Sequence, residues 1–191
     1  MATRARPLRA DAERSVRAIL EAAERVLAGN PAASMEQIAE AAGVARTTIH
    51  RRFASRQALL GAMAETAVRQ LGEAIEASRP EAVPPVVALH QITANVLRVK
   101  VNWAFALNQQ DEPDSPTARA QEEIARRCLE LLGRAQRDGM LDADADLAWV
   151  RRVYYALIGE TLHGEDARTD PDVLAARIVD TLLNGSGPRL R

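Results

Sequence analysis

The chain has 191 residues, of which 47% are hydrophobic and 27% charged. That is enough apolar material for a buried core in one large domain or two small ones, and too much for a disordered chain. Aromatic residues are only 3%, which argues against a strand-rich sandwich or barrel. The single cysteine, Cys128, excludes an intramolecular disulfide framework and a cysteine-based zinc cluster. No apolar run reaches the roughly 18–20 residues that cross a bilayer. The N-terminus, MATRARPLRADAERS, lacks the apolar stretch of a secretory signal. The expectation is a soluble cytoplasmic protein with no membrane contact. The net charge of −1 hides an asymmetry, because residues 1–60 hold ten Arg against six acids and the remainder is net acidic. Such a split suggests that one end meets an anion.

Every segment of the chain reads as helix, so the expected class is all-α. Residues 1–10 form a basic arm with Arg4, Arg6 and Arg9, expected to be flexible. The first helix is expected over 11–28, with Val16, Ile19, Leu20, Ala23, Val26 and Leu27 at helical spacing. Gly29 stands where a left-handed C-terminal residue is wanted, and Asn30-Pro31 breaks the chain. Ser34-Met35-Glu36-Gln37 has the form of a capping box and opens a short second helix that Gly43 ends. A third helix follows over 45–52, anchored by Val44, Ile49 and Phe53. Ser55 caps a long connector over 55–78. Pro84-Pro85 marks a boundary. Residues 86–108 then read as one helix, apolar almost all round and hence central. Ser115-Pro116 starts the next helix, to about Asp138, which Gly139 closes. Asp142 or Asp144 is expected to cap a helix over 146–163. Asp170-Pro171 begins a last helix closed by Gly185, and 186–191 form a mobile tail. The domains expected are a small one over 11–54 and a larger one over 55–185, with 55–78 as the connector.

Residues 34–53, SMEQIAEAAGVARTTIHRRF, describe two short helices joined by a tight turn at Gly43. Ala39 lets the two backbones approach closely, and Ile38, Val44 and Ile49 bury the corner. This is helix-turn-helix geometry, whose second helix enters the DNA major groove. Ala45, Arg46, Thr47 and Thr48 lie at its N-terminal end, where Arg can pair with guanine and a Thr methyl can touch thymine. His50, Arg51, Arg52 and Arg56 suit phosphate contacts, and Ser34 opens a helix whose N-terminus can hold a phosphate.

Residues 15–60 resemble the DNA-binding domain of TetR-type transcriptional regulators. The stretches that carry the likeness are RAILEAAERVLA and MEQIAEAAGVARTTIHRRFASRQALL. His50 stands where the family pattern has Tyr, and Arg56 where it has Lys. The resemblance implies an all-helical homodimer, released from a palindromic operator by a small, largely apolar ligand. It also implies a four-helix bundle made by the last two helices and their copies. Val150, Val153, Tyr154, Leu157, Ile158 and Leu162 on one helix and Leu174, Ile178 and Leu182 on the other are the candidate dimer residues. Half-sites about 34–36 Å apart would suit such a dimer. Met63, His90, Asn95, Val99, Asn102, Trp103 and Phe105 are the candidate effector contacts, a mostly apolar set with a few polar groups.

Two other readings stand beside this one. The second domain could dimerise or meet a protein without any small ligand. A helical-bundle metalloenzyme is the enzymatic alternative, resting on Glu160 and His163 at E-x-x-H spacing. Di-iron bundles need two such motifs and two further glutamates, and no nucleophile elbow, Walker loop or dinucleotide fingerprint occurs. No enzyme activity, metal or cofactor is therefore expected.

Overall fold

The computed structural model describes residues 5–108, 114–161 and 169–185, and these form helices with no strand among the described residues. In chain order they are α1 (Ala5–Gly29), α2 (Met35–Ala41), α3 (Arg46–Arg52), α4 (Arg56–Ala77), α5 (Pro85–Asn102), α6 (Ala104–Leu107), α7 (Pro116–Arg137), α8 (Leu147–Glu160) and α9 (Pro171–Asn184). The chain divides into two units. Met1–Ala67 with Trp103–Gln110 forms the first, and Val68–Asn102 with Asp111–Arg191 the second.

In the first unit α1 buries Ile19, Leu20, Ala22, Ala23 and Leu27 against a core that includes Ile38, Ile49, Leu59 and Met63. Helix α1 begins at Ala5, so the stretch expected as a flexible arm is helical from residue 5. Pro7 falls within the first turn, where a missing N–H breaks no intrahelical bond. Gly29 is the last helical residue and not a left-handed cap, because Asn30 makes the turn. Its N–H donates to the Val26 carbonyl at 2.8 Å, and its side-chain oxygen accepts from Ala32 N–H at 3.2 Å.

The stretch expected as one helix over 86–108 breaks at Trp103 (φ −136°, ψ 34°). The cause lies far earlier in the chain, at Glu24. The buried Glu24 carboxylate accepts the backbone N–H of Phe105 at 2.5 Å and of Ala106 at 3.1 Å. A helix start frees its first amides, and Glu24 of α1 satisfies two of them for α6. Burial raises the Glu24 carboxyl above the usual carboxylate range, and the two amide bonds partly oppose that rise.

The second unit has its own core of Ile75, Leu89, Val96, Leu97, Leu131, Leu132, Tyr154, Ile158, Leu174, Ile178 and Val179. At its centre the Thr93 hydroxyl donates to the Leu89 carbonyl and lies 2.6 Å from the Tyr154 hydroxyl, so these buried polar atoms are paired. Arg134 of α7 donates to the carbonyls of Pro80 and Val83, at 2.5 and 2.9 Å, and holds the loop before α5. Helix α5 starts at the second residue of the Pro84-Pro85 pair, as proline at a first helical position allows. Asp146 caps α8, not Asp142 or Asp144, because its carboxylate accepts the N–H of Ala148 and Trp149. Gln136 meanwhile binds the carbonyls of Asp142, Ala143 and Ala145.

Candidate nucleic-acid interface

The α2–α3 corner is built from local chemistry. Gln37 N–H donates to the Ser34 hydroxyl at 3.2 Å, and Ser34 N–H donates to the Gln37 side-chain oxygen at 2.8 Å. Both bonds of the capping box are therefore made. Gly43 has φ 67°. Val44 N–H reaches back to the Ala39 carbonyl and Gly43 N–H to Glu40, both at 3.0 Å. These two bonds are a Schellman ending, which needs a left-handed residue at Gly43. The chain thus turns directly into α3.

Helix α3 buries Ile49, and Phe53 closes it on the inner side. Arg46, Thr47, His50, Arg51 and Arg52 are exposed, and Thr48 is half-buried. Positions 46, 47, 50 and 51 share one face, since residues four apart stack along a helix. That face offers two cationic forks, an imidazole and the Thr47 hydroxyl to solvent. Ala45 is the N-cap and provides no side-chain acceptor. The Ser34 hydroxyl is exposed but engaged in the capping box.

Two features went unread in the sequence. Arg56, expected at a phosphate, instead donates to the carbonyls of Ala33 and Pro31, each at 2.5 Å. It ties the start of α4 to the loop before α2, because those carbonyls point at the helix that follows in space and not in sequence. Glu36, a member of the capping-box stretch in sequence, faces α3. Its Oε1 lies 2.9 Å from Arg46 Nη2 and 3.5 Å from His50 Nε2. Its own backbone N–H and the Ser34 hydroxyl hold the Glu36 carboxyl below the usual carboxylate range, with Arg46 and His50 adding to the effect. Arg46 and His50 one turn apart on a helix, ten residues or more after an acid in a capping box, was the available signal.

Residues 19–63 match the family model described as bacterial regulatory proteins, tetR family. The HTH-type transcriptional repressor LfrR of Mycolicibacterium smegmatis is 34% identical over 147 residues, 76% of each chain. The chain belongs to the TetR family. It is a DNA-binding transcriptional regulator and not an enzyme, as its relatives are named transcriptional regulators. An uncharacterized HTH-type transcriptional regulator of Mycobacterium tuberculosis, MT1294, is 40% identical over 91 residues, 46% of this chain and 45% of that protein. The crystal structure of LfrR in complex with proflavine covers 92% of this chain and 98% of its own, with a TM-score of 0.74 at 28% identity. The TetR-family regulator PfmR of Thermus thermophilus shares the fold, with a TM-score of 0.75 at 21% identity, covering 89% and 99% of the two chains.

The residues expected at an effector or a dimer interface are distributed differently from the sequence reading. Met63 and Trp103 are buried in the first unit, where Phe105 is half-buried and donates its backbone N–H to Glu24. In the second unit His90 and Val99 are half-buried. Asn95 spends its amide on the Ala74 carbonyl and Ser78 hydroxyl and accepts from Arg98. Asn102 is exposed and donates to the Arg98 carbonyl. Of the dimer candidates, Tyr154, Ile158, Leu174 and Ile178 belong to the core of the second unit. They are spent within one chain. Val150, Val153, Leu157 and Leu182 are half-buried, and Leu162 lies outside the described residues. The large apolar side chains that α8 and α9 leave exposed are Trp149, Tyr155 and Val173. Glu160 ends α8 exposed, and His163 lies outside the described residues. No helix among the described residues is long and apolar enough to cross a membrane.

Proposed function

We propose that this regulator acts in the cytoplasm as a homodimer on a two-fold-symmetric operator, with α3 of each copy in the major groove. The observation that carries the reading is the outward face of α3, where Arg46, Thr47, His50 and Arg51 are exposed while Ile49 alone is buried. Arg46 and Thr47 take the base edges in this reading, Thr48 stands beside them, and His50, Arg51 and Arg52 take phosphates. Arg56 is left out because the loop carbonyls occupy it. Trp149 and Val173 replace the buried core residues as the centre of the dimer face, with Val153, Leu157 and Leu182 at its edges.

The outcome on DNA is repression, relieved by a small, largely apolar molecule bound among the helices of the second unit. The similarity to LfrR, a named repressor solved with proflavine, supports this. A coupling of about 1–3 kcal/mol between ligand and operator is the ordinary scale for such release.

The test is binding to duplexes enriched by the protein from a randomised pool. Arg46→Ala is expected to cost about 1–3 kcal/mol and relax preference at one position, while Arg52→Ala weakens all duplexes alike and flattens the salt dependence by about one phosphate contact. Unchanged binding and salt slope in both variants would remove α3 from the interface.

A further inference from the structure

One carboxylate governs the reading face of α3. Glu36 lies in the first turn of α2, and its Oε1 meets Arg46, the first residue of α3, and His50 one turn later. All three side chains are partly open to water, with Arg46 73% exposed. Arg51 and Arg52, on the same short helix, form no ion pair among the described residues. The acid therefore acts on Arg46 and His50 in particular and not on the basic helix at large.

Resting on the reading that α3 enters the major groove, we propose that Glu36 is a specificity-determining positioning residue, which holds Arg46 for guanine and screens out duplexes that offer no guanine there. A guanidinium has five N–H donors in a rigid planar fork. Glu36 engages Nη2, and each terminal nitrogen carries two hydrogens. The second Nη2 hydrogen and the rest of the fork stay available to the O6 and N7 of a guanine. A side chain already held in place loses less freedom when it reads a base. The same carboxylate opposes nonspecific binding. It cancels part of the charge that Arg46 would bring to the phosphates, and it stands close enough to the groove face to repel them. A guanine offers Arg46 a bond that compensates this repulsion, and another base does not.

The experiment uses the full chain and three probes. These are the duplex enriched by the wild-type protein from a randomised pool, the same duplex with each G·C pair changed singly to A·T, and a random-sequence duplex. Glu36→Gln keeps the size of the side chain and an acceptor oxygen and removes the charge. The variant is expected to bind the random duplex several-fold more tightly, with a salt slope steeper by about one unit. The penalty for changing the guanine read by Arg46 is expected to fall from about tenfold or more to about twofold, with changes at other positions unaffected. In Arg46→Ala that penalty is already gone, and adding Glu36→Gln removes nothing more. A Glu36→Gln variant whose single-pair profile and salt slope match the wild type overturns the assignment while leaving α3 in the groove. A wild-type protein that enriches no duplex overturns the groove reading itself.

Discussion

The α2–α3 corner and the α8–α9 pair present opposite surfaces to water. On α3 the outward residues are Arg46, Thr47, His50, Arg51 and Arg52, while α8 and α9 expose Trp149, Tyr155 and Val173. The first surface suits a polyanion, which exchanges counterions for guanidinium groups. The second suits a protein surface, where aromatic and Arg side chains are enriched. Arg152 lies 4.9 Å over the Trp149 ring and Arg151 lies 5.6 Å over that of Tyr155. These cations cover aromatic faces that would otherwise be bare. Under the proposed function, the chemistry of the outward residues, more than helix amphipathicity, separates the nucleic-acid face from the protein face.

The largest expected effects fall on the buried counterparts of those two surfaces. Ile49→Ala and Ile178→Ala each empty a fully packed site and should cost about 2–5 kcal/mol in denaturant unfolding. Ile49→Ala is expected to weaken DNA binding as well. Ile178→Ala should leave a dimer that sediments as the wild type does. If Ile178→Ala instead dissociated the dimer with stability intact, the inner and outer faces of α9 would have to be exchanged.

Glu24 is next in size. Glu24→Ala leaves the Phe105 and Ala106 amides without their acceptor and should cost about 1–3 kcal/mol. Its pH dependence has a definite sign. Burial raises the folded-state pKa above an unfolded value of about 4.5. In that window the native state holds a proton that the unfolded chain has lost, so stability falls as pH rises. The wild type should therefore gain on Glu24→Gln as pH is lowered toward 4.5. Parallel stability curves for the two proteins would contradict a buried carboxylate.

The third effect, Ser34→Ala, removes one arm of the capping box. It is expected to cost about 1 kcal/mol and to lower the melting temperature. Smallest for the fold and largest for assembly is Val173→Asp. Helical content should be unchanged, and the protein should sediment as a monomer at micromolar concentration. A persistent dimer would exclude Val173 from the interface.

Local signals were the readable ones. The capping box and the turn at Gly43 need partners only three to five residues away, so Ser34, Gln37 and Gly43 could be placed from sequence alone. The caps at Ser115 and Asp170 were readable for the same reason. The break at Trp103 was not, because its cause, Glu24, is distant in the chain. The bonds of Arg56 to loop carbonyls were unreadable likewise, since a basic residue next to a reading helix looks the same whether it meets a phosphate or a loop carbonyl. On α8 and α9, helical periodicity marks apolar positions without saying which of them a chain's own core consumes. Tyr154, Ile158, Leu174 and Ile178 have the strongest pattern for that reason, and it is the pattern of a core.

Helix α6 has only four residues, Ala104–Leu107, too few to persist on its own internal bonds. The carboxylate of Glu24 grips its first turn by two amides. Residues 104–107 therefore cannot leave α1 without uncovering two amides and a buried carboxyl together, which makes this short helix a clasp on the first unit.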